Sequence, residues 1–595
     1  EKGTQELIAA VTGSTLTTVV VFVPLGLLQG VVGQFFSALS LTLGAAVLLS
    51  LVYALLFIPN AAALWMRDKP RTPAPAAGAR SVGWLSIHYQ SMLRRALKRP
   101  ALVVLVTVAF GGLGIFLFNQ LETGFLPEMD EGGFVLDYWT PTGTSLPETD
   151  RMVGRIEKVL SGTPEVLGFA RRTGAELGLF ATPQNTGDIV VRLKPRSARA
   201  RTSEEVIAEL RGTFEKDLPG LTVEFVQLLQ DMLGDLEGSP EPIEVKIFGD
   251  DLPTLAKLAN GVAEKMKHVD GVVDIVAPRR GNPELNVRVD PTLAAKAGFT
   301  VDQVSSQLGT GMLGKVSTEF RRGDRLVDVR VRFPDKYRFD LDWVREFPLM
   351  NGAGTIVPLS ATAAVSTAEG EEELHREDLK QMVPVTARLE GRGMASAVAD
   401  IRTMMASVAL PLGYSWQLGG LYESQQTSFR SLVMVLALAV LLVFALLVAQ
   451  FRRFTSAAVI LSAAPLSLVG AFGLLLITGT PLNVSSIMGL ILLMGLIVKN
   501  GIILVDYADL ISKDQPDRLE ALVQAGAIRL RPILMTTLCT LFGLLPLALG
   551  IGAGAEMQKP LAIAVIGGLS VSTAITLVFV PALLALVSRG GRSRD

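Results

Sequence analysis

Cysteine and histidine are nearly missing from this chain. One cysteine, Cys539, and three histidines, His88, His268 and His375, stand among 595 residues. A single thiol excludes a disulfide framework and a thiolate metal cluster, and the three imidazoles share no ligand spacing. No GxxxxGK[ST] segment occurs, which removes the phosphate cradle of an ATP-driven machine. An excess of charge is absent too: 55 Lys and Arg against 56 Asp and Glu give −1, so there is no global footprint for nucleic acid. Nothing in the composition calls for a cofactor.

What the chain has in abundance is apolar sequence: 49% hydrophobic residues and a mean hydropathy of +0.43, too high for a soluble globular protein of this size. Eight segments are long enough to span a bilayer, at 6–29, 34–66, 100–119, 430–450, 456–478, 483–507, 532–553 and 561–587. The basic connector 67–99 belongs in the cytoplasm by the positive-inside rule. Alternation then puts 120–428 outside, Arg452 and Arg453 inside, the loop 509–531 inside and the tail 588–595 inside. Within the connector, 70–79 reads as a Pro/Ala-rich linker. Trp84, Leu85, Tyr89, Met92, Leu93 and Leu97 then recur at helical spacing opposite Arg94, Arg95 and Lys98, the pattern of an interfacial helix.

The span 483–507, NVSSIMGLILLMGLIVKNGIILVDY, carries one cation before its end, Lys499, followed by Asn500. An ammonium inside a bilayer costs several kcal/mol (about 3 by insertion scales), so it must snorkel, pair or work. Asp506 comes seven residues further along the helix, a long way to snorkel. A paired, functional lysine is therefore expected, its partner an acid on another helix.

The two ends of the chain repeat each other. STLTTVVVFVPLGLL at 14–28 echoes ILMTTLCTLFGLLPLALG at 533–550, and LLFIPNAAAL at 55–64 echoes LVFVPALLAL at 577–586. Two homologous halves are expected, as in many transporters. The second is expected to be whole (one span at 100–119, an outer domain, three spans within 429–508 and two within 532–587). The first would survive only as 1–66, so the chain is expected to lack an N-terminal half. In the outer domain, strands at 133–139 and 188–194 with helices at 148–161 and 203–217 suggest a β-α-β-β-α-β module over 133–226. A second module begins with PIEVKIFG and a helix at 252–267, and resumes at MVPVTARLEG, so an insertion at about 280–378 is expected to split it.

These segments resemble the resistance-nodulation-division (RND) efflux permeases. The likeness rests on GLIVKNGIILVDYA at 495–508, RLRPILMTT at 529–537, GFLPEMDEGG at 124–133 and QNTG at 184–187. The resemblance implies a polytopic α-helical membrane protein, with eight spans present of an expected twelve. It also implies an α+β periplasmic porter domain of ferredoxin-like modules, one split by a docking insertion. Implied partners are two further copies in a homotrimer, a periplasmic membrane-fusion adaptor, an outer-membrane channel and the lipid bilayer of the bacterial inner membrane. The implied activity is proton antiport, not enzymatic catalysis. The proton relay implied is Lys499 with Asn500, Arg529 and Thr536; Thr536 could equally bond its own backbone.

The substrate is read from ligand chemistry. The tract 164–180 looks closer to the heavy-metal branch of that family, where Met232 and Met312 would supply thioethers without a third methionine. Two thioethers make a poor soft-metal site, so amphiphilic organic compounds are favoured, with metal cations as the alternative. Phe134, Phe169, Phe180, Gln184, Asn185, Met232 and Met312 are the candidate cleft residues, although core packing would also explain the aromatics.

Overall fold

The computed structural model describes residues 2–591 except 29, 66–76, 128, 177–181, 230–231, 233–240, 279, 372, 513–516 and 553. Among the described residues, seven helices are long and apolar enough to cross a membrane, and the Val11–Leu25 part of α1 (Lys2–Leu25) is a shorter apolar helix. That is one fewer than the eight long segments expected, because the described apolar part of the first is only this short stretch. The expected span 34–66 is interrupted rather than regular. Following α2 (Gly30–Val52), a π turn at Tyr53–Phe57 precedes α3 (Ile58–Trp65), and the Ile58 N–H donates to the Tyr53 carbonyl five residues back. Pro59 lies next in line and has no N–H to give, and a π turn re-registers the ladder at such a point.

The connector helix α4 (Ala77–Lys98) leads directly into the long apolar helix α5 (Pro100–Gln120). After the outer domain come α10 (Leu421–Phe451), α11 (Phe454–Ile477), α12 (Val484–Ile511), α13 (Arg518–Ala548) and α14 (Ala555–Gly591). Helix α12 lies at the centre, packing against α1, α10, α11, α13 and α14. By contrast, the spans that include α2 and α5 bury only 6% of their apolar windows and present the rest outward. Close backbone approach tightens the bundle: a Cβ on Gly470 of α11 would lie 2.3 Å from the Gly567 carbonyl of α14, and only glycine fits.

Outside the bundle, strands β1 (Gly133–Trp139), β2 (Val166–Thr173), β3 (Thr186–Leu193) and β4 (Thr222–Val226) form an antiparallel sheet in the order β2-β3-β1-β4. Helices α6 (Leu146–Gly162) and α7 (Ser203–Asp217) bury Val153, Ile156, Leu160, Val206, Leu210 and Phe214 in its core. Thr202 and Glu205 close a capping box at the start of α7, which fixes where the helix begins.

A second sheet takes β5 (Ile243–Phe248) and β6 (Val272–Val276), joined by α8 (Leu252–Met266). It is completed by β7 (Lys380–Leu389) and β8 (Ser415–Gly419), joined by α9 (Met394–Ala406). Between β6 and β7 the chain folds around a separate small core that includes Phe299, Val304, Phe347 and Leu359. The segment 122–125 anchors this outer part to α12: Leu482 N–H donates to the Glu122 carbonyl (2.8 Å) and Gly124 N–H to the Leu482 carbonyl (3.1 Å).

Candidate functional site

Lys499 lies well along α12, half-buried, and no carboxylate among the described residues is within ion-pairing distance of it. The acid expected on another helix is not among them. Asn500, the next residue, is buried and points to a different side of the same helix, as the 100° step between neighbours requires. Helix α1 packs on α12 near Gly495, where an added Cβ would lie 3.4 Å from Thr18 Cα. Ser14, Thr17 and Thr18 of α1 are buried, each hydroxyl returned to a carbonyl of its own helix.

Arg529 sits on α13 with its guanidinium carbon 4.4 Å from the centre of the Tyr507 ring of α12, a cation–π contact joining the two helices. Its Nε is buried and has no hydrogen-bond partner among the described residues. Thr536 gives its hydroxyl to the Ile533 carbonyl (3.0 Å) and is exposed. The neighbouring Thr537 is the inward-facing one, buried and 3.0 Å from the Thr573 hydroxyl of α14. The structure therefore places Lys499, Asn500, Arg529 and Thr536 on adjoining helices without direct bonds among them. The double Thr-Thr gives no sequence signal for which of the two faces inward.

The candidate cleft residues scatter. Phe134 is fully buried in the core of the first module, 5.7 Å from the Phe225 ring, so it is a core residue rather than a cleft residue. It lies on the apolar face of a β-strand whose alternation already points inward. Phe169 packs partly against that same core. Phe180 lies outside the described residues. Gln184 is exposed and reaches the Thr144 carbonyl (3.4 Å). Asn185 is buried, donating to the Thr140 carbonyl (3.2 Å) and accepting from Asn282 (3.3 Å), a structural tie between the first module and the strand entering the insertion. Met232 is 59% exposed, and Met312 packs against the separate core of the insertion, so the two thioethers belong to different parts of the molecule. Among the described residues, no group of three or more His, Cys, Asp or Glu could hold a metal ion.

Sequence reasoning missed the seam between the two outer sheets. Arg388 of β7 donates through Nε to Glu224 Oε1 of β4 (2.5 Å), and both side chains are buried. In the reverse sense, Arg211 of α7 grips Asp274 of β6 with two bonds of 2.8 Å, and its Nη1 also reaches Glu390. Each module thus contributes one arginine, which meets acid from the other module. Asp274 has a left-handed backbone, φ +47°, and the β6–β7 register slips between Thr386 and Arg388 with the extra residue on β6. Such a bulge re-aims a side chain, here toward the first module.

Burial pushes the Glu224 carboxyl up to about 7; Arg388 opposes the shift, and Glu241 and Asp274 add to it. Beneath the seam lies a cavity of about 380 Å³, whose lining includes Arg211, Phe225, Arg388, Glu131, Met394 and Pro481. The available signal is one charge inside each of three apolar strands, TVEFV, VVDIV and PVTARL.

A family model described as the AcrB/AcrD/AcrF family matches residues 1–588. The chain is 31% identical over 588 residues to the cobalt-zinc-cadmium resistance protein CzcA of Cupriavidus metallidurans, covering 96% of this chain and 55% of that one. It is 30% identical over 600 residues to the nickel and cobalt resistance protein CnrA of the same organism, covering 98% and 55%. The multidrug resistance protein MdtC of Escherichia coli is 27% identical over 596 residues, covering 99% and 57%. A crystal structure described as a heavy metal efflux pump superposes with a TM-score of 0.87 at 29% identity, covering 98% of this chain and 57% of that one. The chain spans about half the length of the curated relatives it matches.

Proposed function

We propose a function from one premise: the chain belongs to the AcrB/AcrD/AcrF family. The protein is read as an RND-type efflux permease of the bacterial inner membrane, with residues 120–428 in the periplasm. There it works by proton antiport as a homotrimer, alongside a periplasmic adaptor and an outer-membrane channel. The strand order β2-β3-β1-β4, with a helix after β1 and another after β3, supports reading the outer modules as ferredoxin-like. The segment 280–378 is read as the docking insertion.

In this reading Lys499 is the charge that responds to protonation. A carboxylate brought beside it would stay ionised, and protonating that acid would release the lysine, so one proton changes which helices attract each other. Arg529, held over Tyr507 with its Nε unsatisfied among the described residues, stands ready for an acceptor on the same side of the cycle. Asn500 and Thr536 are assigned to the relay with them.

The exported substrate is proposed to be a divalent transition-metal cation. The observation that carries this choice is the whole-length similarity to relatives named for cobalt, zinc, cadmium and nickel resistance. The sequence alone favours organic amphiphiles because its thioethers are too few. The similarity to MdtC keeps that as the second reading. The two are separated by a susceptibility panel on a strain lacking the gene and on its complemented twin. Sensitivity to cobalt, zinc, cadmium or nickel, relieved by complementation, is expected. Sensitivity confined to dyes and detergents would overturn the metal reading.

A further inference from the structure

Helix α4 is docked, yet only by one face. Tyr89, Leu93 and Leu97 are buried against α13 and α14, and Arg94 is tied to Glu520 of α13 (2.7 Å). The opposite face stays open. Its first half carries Trp84, whose ring stacks on His88 with centroids 4.4 Å apart, beside exposed Ile87 and Met92. Its last turn carries Arg95 and Lys98, and Arg99 caps the start of α5. These three cations are exposed, and none has a carboxylate partner among the described residues.

The three cations stand at the point where α5 begins, and α5 presents an outward apolar wall that includes Leu102, Leu105 and Val108. A cationic cluster at the foot of an apolar wall, with Trp84 on the same open face about 16 Å back along α4, matches an amphiphile with an anionic head and acyl tails. We infer that Arg95, Lys98 and Arg99 form a binding surface for acidic glycerophospholipids of the cytoplasmic leaflet, on the open face of α4 that also carries Trp84. The headgroup phosphate lies on the three cations and an acyl chain runs along α5. Charge complementarity selects this occupant over a zwitterionic lipid, whose own ammonium would meet the same cations. The inference rests on the topology proposed above, which puts α4 inside, and is independent of the exported substrate.

Trp84 is the reporter. The natural gene product is placed in nanodiscs containing dibrominated phosphatidylglycerol or dibrominated phosphatidylcholine at equal mole fraction. Quenching at Trp84 is read as the difference between wild type and Trp84→Phe. The expected result is about a tenfold preference for the acidic lipid, shrinking as salt is raised. Arg95→Gln/Lys98→Gln/Arg99→Gln should bring the preference to about unity, and Arg95→Lys/Arg99→Lys should keep it. Equal quenching by both lipids in wild type overturns the proposal. So does quenching by neither, which would mean that protein covers the patch. The salt titration needs no variant, so a misfolded triple substitution leaves the proposal open to refutation. Lost lipid preference with intact export refutes only this surface, whereas intact preference with no export refutes only the transport reading.

Discussion

Arg388 and Glu224 meet at 2.5 Å across the seam between the two outer sheets, 164 residues apart in the chain and both buried. Arg388 keeps one buried nitrogen, Nη1, without a partner among the described residues, so this bridge holds position more than it adds stability. Removing one partner strands the other charge. Arg388→Met alone should destabilise the outer domain by about 3–5 kcal/mol at pH 8, whereas Arg388→Met with Glu224→Leu should recover most of that loss. Thermal unfolding of the single and double variants decides it, and an additive double variant would contradict the pairing.

The same carboxylate sets a pH dependence. Its pKa is raised by burial from 4.5 to about 7, with Arg388, Glu241 and Asp274 facing it. Between those values the folded protein holds a proton that the unfolded chain has released. Stability contributed by Glu224 is therefore full below about pH 4.5, falls as pH rises to about 7 and is flat above. Glu224→Gln should flatten that part of the profile. The measurement is the difference in Tm between wild type and variant from pH 4.5 to 8, and a difference that does not vary with pH would refute it.

Lys499→Ala tests the relay reading. Export is expected to fall to the level of the deletion strain while membrane abundance and assembly stay near wild type, since no carboxylate among the described residues depends on this ammonium. Full resistance from the variant at normal abundance would show that the lysine merely snorkels.

Tyr89 offers a test of packing between α4 and α14. Its hydroxyl donates to the Leu577 carbonyl (2.7 Å), and the residue four positions on, Pro581, has no N–H to fill that carbonyl. Tyr89→Phe should cost about 1 kcal/mol. In a Pro581→Ala background, where the helix can satisfy its own carbonyl, the same change should cost much less. A double-mutant cycle with no coupling would sink the account.

Local periodicity carried much of the fold. The run 483–507 shows itself as a span with one cation, strand β1 spans Gly133–Trp139 as its alternation predicts, and α7 begins at its capping box, because each depends on residues within a few positions. Other features depend on distant partners. Nothing near Glu224 announces Arg388, and the aim of Asp274 depends on a bulge in strand pairing that alternation cannot reveal. Phe134 is an aromatic in a strand by sequence, and a core residue only once α7 has brought Phe214 against Phe225 beside it. Of Thr536 and Thr537, the one that faces inward is chosen by where α14 lies against α13, since neighbours on a helix differ by about 100° and only packing says which direction is the interior.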